Sequence, residues 1–267
     1  IDKAIRIFKA KSGPMTWETG LAIGQKGQII SEYHLYSEST PTERAALYVE
    51  QGVAILSDDL GVDHEKTQAL SSLLASIHFY LENYEKAVLF YKKTLPWIGT
   101  FASAQPERLV WHLEALATAQ ASIGNYSEAT TNLSRAVALT EREAISMKSN
   151  HVPFLIYKMA IFNVLSQNYK TAEAYCKRAL KMMEKPYEPI TQLSHYLAYD
   201  LGFLMTLNDP DLQFSRHKKM RDYYNLLIER ERRVVAESPR KRILTPPLVR
   251  KLHELVGDIA KKNTGRQ

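Results

Sequence analysis

The sequence predicts an all-α fold, an α-solenoid of antiparallel helical hairpins. The first observation is a series of alanines that recur every 41 to 43 residues: Ala4, Ala45, Ala87, Ala129 and Ala172. The second is the motif Asn-Tyr-x-x-Ala around three of them, at residues 83–87, 125–129 and 168–172. The third is apolar spacing of i, i+3, i+4 and i+7 beside the motifs, which is typical of amphipathic helices. Such a period indicates units that bury their apolar faces against their neighbours.

The first elements are the least regular. Residues 1–15 contain an amphipathic helix that we interpret as the second helix of a truncated repeat. A weaker unit follows at 16–57, with its inter-helix turn at Ser39-Thr40. Thr40 as N-cap, Pro41 at the first helical position and Glu43 three residues after the cap predict the start of its second helix. Its first helix has a less regular sequence pattern, with Gly20, Gly24 and Gly27, so the pattern does not fix its upstream boundary.

Three central units, 68–96, 107–142 and 153–185, carry the motif and are the clearest. In the first, Glu82-Asn83 is the predicted turn, and Pro96 is expected to stop the second helix because proline lacks the amide hydrogen of a helix interior. In the second, Gly124-Asn125 suits a left-handed turn. Each unit therefore reads as a helix, a short turn and a second helix.

The chain departs from the pattern from residue 191 onward. The unit at 191–237 keeps a Leu-Gly pair at 201–202 but has Phe214 where the series predicts alanine. Residues 212–237 read as one long charged helix, which Ser238-Pro239 breaks. Residues 238–267 form a basic linker and a C-terminal capping helix, and prolines at 246 and 247 mark the start of that helix.

Composition favours an intracellular protein. Apolar residues make up 45% of the chain and charged residues 24%, as in ordinary soluble domains. Cys176 is the only cysteine, so no intramolecular disulfide holds the fold. The longest apolar stretch, 152–165, contains Lys158 and is too short for a bilayer. The chain begins with Ile1 inside a helix, so the presence of an upstream leader or anchor is an open question. We expect a cytoplasmic location, or an organelle-tethered one such as mitochondrial.

The three central units resemble the tetratricopeptide repeat (TPR) family. In that family a Leu-Gly or Leu-Ala pair, an aromatic residue at the turn and a small residue at the helix crossing recur. Those roles fall here to Leu74-Ala75, Tyr84 and Ala87; to Leu116-Ala117, Tyr126 and Ala129; and to Met159-Ala160, Tyr169 and Ala172. The period is similar to that of the extended subclass in kinesin light chains and bacterial peptide-sensing regulators. The resemblance implies a right-handed solenoid with a concave groove, lined mainly by the first helices of the hairpins.

The register of the resemblance implies a strongly aromatic groove. Its residues would be Phe79, Tyr80, Trp111, Thr118, Phe154, Tyr157, Lys158, Ile161, Tyr196, Asp200 and Phe203. Aromatic anchors in a concavity suit a peptide or protein segment, since such residues dominate binding hot spots. Lys158 and Asp200 would help to orient that segment. The alternative, that individual rings only pack between neighbouring helices, stays open at this point.

The resemblance also disfavours one partner class. TPR proteins that hold the acidic carboxyl terminus of heat-shock chaperones use a clamp of Lys, Asn and Arg on the groove face. The corresponding positions here are Ser72, Ser76, Ala115 and Lys158, which supply a single charge. We therefore expect a different kind of protein or peptide partner.

Catalytic and cofactor patterns are absent from the sequence. The eight histidines are scattered, and His253-Glu254 lacks the second histidine of a zinc-protease helix because Gly257 stands there. Cys176 occupies an apolar position on a second helix and is expected in the core. The glycines at 20, 24 and 27 do not form a phosphate-binding loop. We expect no catalysis, no metal and no cofactor.

The net charge is +6, and basic residues concentrate near the end of the chain. They are Arg216, Lys218, Lys219, Arg221, Arg230, Arg232, Arg233, Arg240, Lys241 and Arg242. A solvated end-cap helix and its linker account for this run better than a nucleic-acid site, for which no motif appears.

These observations predict a non-catalytic adaptor or scaffold that binds a protein or peptide segment in its groove. The alternative is a peptide-sensing regulatory domain of a larger protein, whose effector domain or membrane anchor lies upstream. An upstream helix-turn-helix would favour the sensor, whereas a transmembrane helix or a targeting leader would favour an organelle-tethered adaptor. A third interpretation, an enzyme, requires that an upstream part is catalytic.

Overall fold

The computed structural model describes residues 1–36, 43–101, 103–142 and 151–183, together with Pro247, Leu248, Lys251 and Glu254. These parts of the chain are helical and contain no strand. The predicted turn at Ser39-Thr40, the unit at 191–237 and most of the capping helix lie outside them, although the four C-terminal residues named above are helical. The chain divides into two compact units, Ile1–Ala119 and Gln120–Gln267.

The described helices follow one another in pairs of packed neighbours. The first unit contains α1 (Asp2–Lys11), α2 (Trp17–Tyr36), α3 (Glu43–Leu60), α4 (Glu65–Tyr80), α5 (Tyr84–Gly99) and most of α6 (Pro106–Ser122). The second contains α7 (Tyr126–Arg142), α8 (His151–Leu165) and α9 (Tyr169–Met183). Helices α1 to α4 each pack on the next one, as do α7 and α8. The sequence prediction of helical hairpins is thereby confirmed, because α4 packs on α5 and α8 on α9.

The same turn follows α4, α6 and α8. One residue has a positive φ in each: 63° at Glu82, 86° at Gly124 and 64° at Gln167. The next amide, from Asn83, Asn125 or Asn168, donates to the carbonyl five residues earlier at 2.9, 2.9 and 2.8 Å. This is the Schellman arrangement, in which a left-handed residue lets the chain satisfy the last carbonyls of a helix. The asparagine carbonyl then accepts from the amide of the motif alanine at 3.0 to 3.1 Å, which starts the second helix.

Four of the five recurring alanines belong to the core. Ala45, Ala87, Ala129 and Ala172 are completely buried, whereas Ala4 is half-buried. Ala75, Ala117 and Ala160 on the first helices are buried as well. A larger side chain at such a position would separate the two backbones, so the alanine period reflects close helix packing.

The glycines of α2 lie where neighbouring helices approach it. Helix α2 is continuous over Trp17–Tyr36, and its glycines face α3 and α4. A Cβ built on Gly52 of α3 would stand 2.8 Å from the carbonyl oxygen of Gly20 and 2.9 Å from the Cα of Gly24. Glycine therefore allows α2 and α3 to approach backbone to backbone.

Pro96 corrects an expectation from the sequence, that it stops the second helix of its unit. It lies inside α5, which continues to Gly99 instead of ending at the proline. Proline removes the hydrogen bond to the carbonyl four residues earlier, that of Lys92. Both Pro96 and Lys92 are exposed, so water can reach this side of the helix. The helix ends only one turn later, with Thr100 as its C-cap.

Helix α8 packs on both α7 and α9. It is apolar around most of its circumference and contains eleven buried residues, as expected for a helix that is covered on most sides. Cys176 of α9 is buried too, as the sequence predicted. Across the described parts of the chain, none of the helices combines the length and the hydropathy that a membrane crossing requires.

Candidate functional site

A cleft of about 490 Å³ opens between α4 and α6, with α5 as its floor, entirely within the first unit. Helix α4 contributes one face, residues 72, 76, 79 and 80, and α6 contributes another, residues 107, 108, 111, 112 and 115, because these spacings align on a helix. The lining residues are Ser72, Ser76, Phe79, Tyr80, Tyr91, Ile98, Glu107, Arg108, Trp111, His112 and Ala115.

Large aromatic side chains are accessible in this cleft. Trp111 is 64% exposed and Tyr80 is 39% exposed. Phe79 is half-buried and packs edge to face on Tyr80, with ring centroids 5.8 Å apart, and on Tyr84, at 5.6 Å. Ring packing therefore holds Phe79 and Tyr80, and Trp111 adds the largest exposed aromatic surface of the cleft.

Two consecutive hydrogen bonds, made by the hydroxyl groups of Tyr91 and Ser76, lie in the floor of the cleft. The buried Tyr91 donates its hydroxyl hydrogen to Ser76 Oγ at 3.2 Å, and Ser76 Oγ donates to the carbonyl of Ser72 at 3.3 Å. Burial raises the pKa of Tyr91, which keeps the phenol protonated at neutral pH. These bonds link α5 to α4.

His112 joins α6 to the same floor. Its Nε2 lies 2.9 Å from the carbonyl oxygen of Tyr91, and its ring meets the Tyr91 ring edge-on at 4.9 Å. Burial lowers the pKa of His112, and the bond to the Tyr91 carbonyl opposes that shift only in part. The imidazole is therefore neutral at neutral pH.

Two charged residues, Glu107 and Arg108, also line the cleft. The Arg108 guanidinium lies over the rings of Phe101, at 4.8 Å, and Trp97, at 5.7 Å. It also donates to Gln105 Oε1 at 3.2 Å. The positive charge of Arg108 is thus already held against aromatic neighbours.

The structure brings part of the predicted groove together. Phe79, Tyr80 and Trp111 line the cleft, and Ser72, Ser76 and Ala115, the positions compared with the chaperone-tail clamp, line it too. Thr118 does not: it is buried, and its hydroxyl donates to the carbonyl of Glu114 at 2.8 Å.

The predicted residues of the second unit are mostly inaccessible, which corrects the expectation that they face a groove. Tyr157 is 0% exposed, and Lys158 and Ile161 are buried. The physical reason is that α8 is surrounded on most sides, so no face of it remains open for aromatic anchors. Phe154 is half-buried with Lys158 Nζ 5.0 Å from its ring centroid. Tyr196, Asp200 and Phe203 lie outside the described residues.

Sequence reasoning missed Tyr91, Ile98, Glu107, Arg108 and His112. The first two belong to a second helix, and the expectation was restricted to first helices. The other three could have been found from helical spacing: Glu107 and Arg108 stand four and three residues before Trp111, and His112 stands four residues after Arg108. The hydrogen bond from Tyr91 to Ser76 depends on the approach of α5 to α4, which no local pattern reveals.

Two further findings concern metal ligands and known proteins. Within the residues that the structure describes, no group of three His, Cys, Asp or Glu side chains could hold a metal ion. No protein-family model matches the chain, and no curated protein is significantly similar to it.

Proposed function

We propose that this chain is a non-catalytic protein-interaction module, an adaptor or scaffold, that holds a segment of a partner protein in the cleft between α4 and α6. The observation that carries the proposal is the exposure of Trp111 and Tyr80 in a cleft of about 490 Å³. Exposed aromatic residues around a concavity are the usual centres of protein-binding energy, and a cleft of this size suits one or two side chains of a segment.

The floor supports binding rather than chemistry. Ser76 and His112 both lie in the cleft, but the His112 Nε2 is bonded to the Tyr91 carbonyl rather than to a serine hydroxyl. A serine nucleophile needs a base within hydrogen-bond reach, and Ser76 Oγ is instead bonded to Tyr91 and to the Ser72 carbonyl. The polar groups are placed to meet hydrogen bonds of a bound segment.

We also propose the finer description of the fold, that the chain is a divergent member of the TPR family. The recurrence of one turn geometry after α4, α6 and α8 supports this proposal. So does the burial of the motif alanines. Both features are what an array of related hairpins requires.

The test is a selection of peptides from a random display library against the full chain, followed by titration of the selected peptides. Trp111→Ala should weaken them by about tenfold or more, as expected for a central aromatic anchor. Leu89→Ala is the matched control, since Leu89 is equally exposed, at 63%, but does not line the cleft. Selected peptides that bind both variants as tightly as the original chain would contradict the proposal.

A further inference from the structure

The two hydroxyl groups in the floor of the cleft already donate their hydrogens to other protein atoms. Tyr91 donates its single hydroxyl hydrogen to Ser76, and Ser76 donates its own to the Ser72 carbonyl. A hydroxyl has one hydrogen but two lone pairs. Each oxygen therefore keeps a lone pair that these bonds do not use, whereas neither has a hydrogen to donate unless one of the two bonds breaks.

The His112 ring adds a third acceptor. A carbonyl can only accept, so the 2.9 Å contact with the Tyr91 carbonyl places the ring hydrogen on Nε2. Burial lowers the pKa of His112, so the imidazole carries no second hydrogen at neutral pH. The other nitrogen, Nδ1, keeps its lone pair, and no described residue donates to it.

The aromatic walls of the cleft attract cations, because the faces of rings such as Trp111 and Tyr80 are electrostatically negative. The lining contains one carboxylate, Glu107, and one guanidinium, Arg108, which lies over Phe101 and Trp97, so the two formal charges balance. The unit as a whole is acidic: residues 1–119 contain fourteen Asp and Glu against eleven Lys and Arg. The hydrogen-bond acceptors and the ring faces together favour a donor with a delocalised positive charge.

We propose that the group taken up by this cleft is the guanidinium of an arginine in the bound protein segment. Arginine fits better than lysine because its planar head stacks on aromatic rings, and because its five N–H donors can reach several separate acceptors. Ser76, Tyr91 and His112 supply those acceptors, and Trp111 supplies the stacking surface. The inference rests on the proposed function and specifies the chemistry of its partner.

The direct test uses a capped tripeptide, acetyl-Ala-Arg-Ala-amide, titrated into the ¹⁵N-labelled full chain. Its analogues carry lysine, norleucine or glutamate in place of arginine, and the signal followed is the indole N–H of Trp111, assigned with Trp111→Phe. The arginine tripeptide should give a saturable shift and bind about tenfold more tightly than the norleucine analogue, as cation–π contact and charge-assisted bonds predict.

Two carboxylate variants distinguish the effect of a charge in the cleft on binding from the effect of the net charge of the unit. Glu107→Gln should weaken the arginine tripeptide by about threefold, the effect of one partly solvated charge. Glu85→Gln should leave it unchanged, because Glu85 is exposed on α5 and does not line the cleft. The norleucine analogue should respond to neither substitution.

Several results would overturn the inference. It fails if the arginine tripeptide gives no saturable shift, if another analogue binds as tightly, or if both carboxylate variants act alike. Library peptides that depend on Trp111 but lack arginine would also overturn it, while leaving the proposed function intact. A library without any Trp111-dependent peptide would instead count against the proposed function.

Discussion

At the scale of single residues, Glu82 and Gln167 occupy a conformation that suits glycine. Their φ values are 63° and 64°, and the equivalent position in the turn after α6 is Gly124. A side chain in the left-handed region costs about 1–2 kcal/mol. Two of the three turns therefore place a residue other than glycine in the left-handed conformation, which glycine adopts most easily.

Replacing Glu82 with glycine should therefore stabilise the first unit. We expect Glu82→Gly to raise the free energy of unfolding by about 0.5–1 kcal/mol, because the relieved strain exceeds the added chain entropy of glycine. Thermal and urea unfolding would measure the gain. The control is Glu85→Gly, which places glycine in the first turn of α5 and should destabilise by up to about 1 kcal/mol. Equal effects of the two substitutions would show that Glu82 is not strained.

Two buried histidines make stability depend on pH. Burial lowers the pKa of His78, with a further contribution from Lys86 that Glu50 opposes, and burial lowers the pKa of His112. His78 Nε2 lies 3.3 Å from Glu50 Oε1, and the ring stacks on Phe90 at 5.8 Å. Each folded pKa is below the unfolded one, so the folded state favours the neutral ring.

The sign of the effect follows from these shifts. The stabilisation is complete above the unfolded pKa of about 6.5 and declines as the pH falls below it, because the unfolded chain binds the proton more tightly. We expect the melting temperature to fall between about pH 7.5 and about pH 5. His112→Gln and His78→Gln should each reduce that fall. A pH profile that neither substitution changes would exclude the histidines as its source.

At the scale of helices, the contact of α2 with α3 depends on Gly52. A Cβ there would meet backbone atoms of Gly20 and Gly24 at 2.8 and 2.9 Å, and backbone cannot yield as a side-chain end can. Gly52→Ala should destabilise the first unit by about 1–3 kcal/mol despite the better helix propensity of alanine. Denaturant unfolding with tryptophan fluorescence would measure this.

Gly99→Ala is the matched control for that prediction. Nothing lies within 4 Å of a Cβ at Gly99, which is also helical. We expect it to be neutral or to stabilise by up to about 1 kcal/mol, the propensity gain alone. If Gly52→Ala behaved in the same way, the close approach of α2 and α3 would not be a constraint.

The helices show which features local patterns can predict. The Asn-Tyr-x-x-Ala motif predicted the turns and second helices, since a helix start and a small crossing residue are both local requirements. The continuation of α5 through Pro96 and the extent of α2 could not be predicted in this way. Both depend on surroundings: solvent beside Lys92 and a facing helix beside the glycines.

At the scale of the whole molecule, the site was only partly predictable from the sequence. Phe79, Tyr80 and Trp111 follow from a register along the first helices, and the structure places all three in one cleft. The same register put Tyr157 on a groove, whereas it is buried in the second unit. A repeat register assigns equivalent backbone positions but does not determine what covers each one.

Tyr157 should therefore behave as a core residue. We expect Tyr157→Ala to reduce the stability of the second unit by about 3–5 kcal/mol, as large aromatic truncations in cores do. The measurement is the urea concentration at which Cys176, buried in the same unit, becomes reactive to a thiol reagent. Leu89→Ala should leave that concentration unchanged, and an equally small effect of Tyr157→Ala would mean that its ring is not needed for packing.

The division into two units separates the natural spectroscopic and chemical reporters of the chain. Its three tryptophans, Trp17, Trp97 and Trp111, all belong to Ile1–Ala119, while its one thiol belongs to Gln120–Gln267. Fluorescence therefore reports only on the first unit, and thiol modification only on the second. A single unlabelled sample, followed by both methods during one denaturation, would show whether the two halves lose their structure together or in succession.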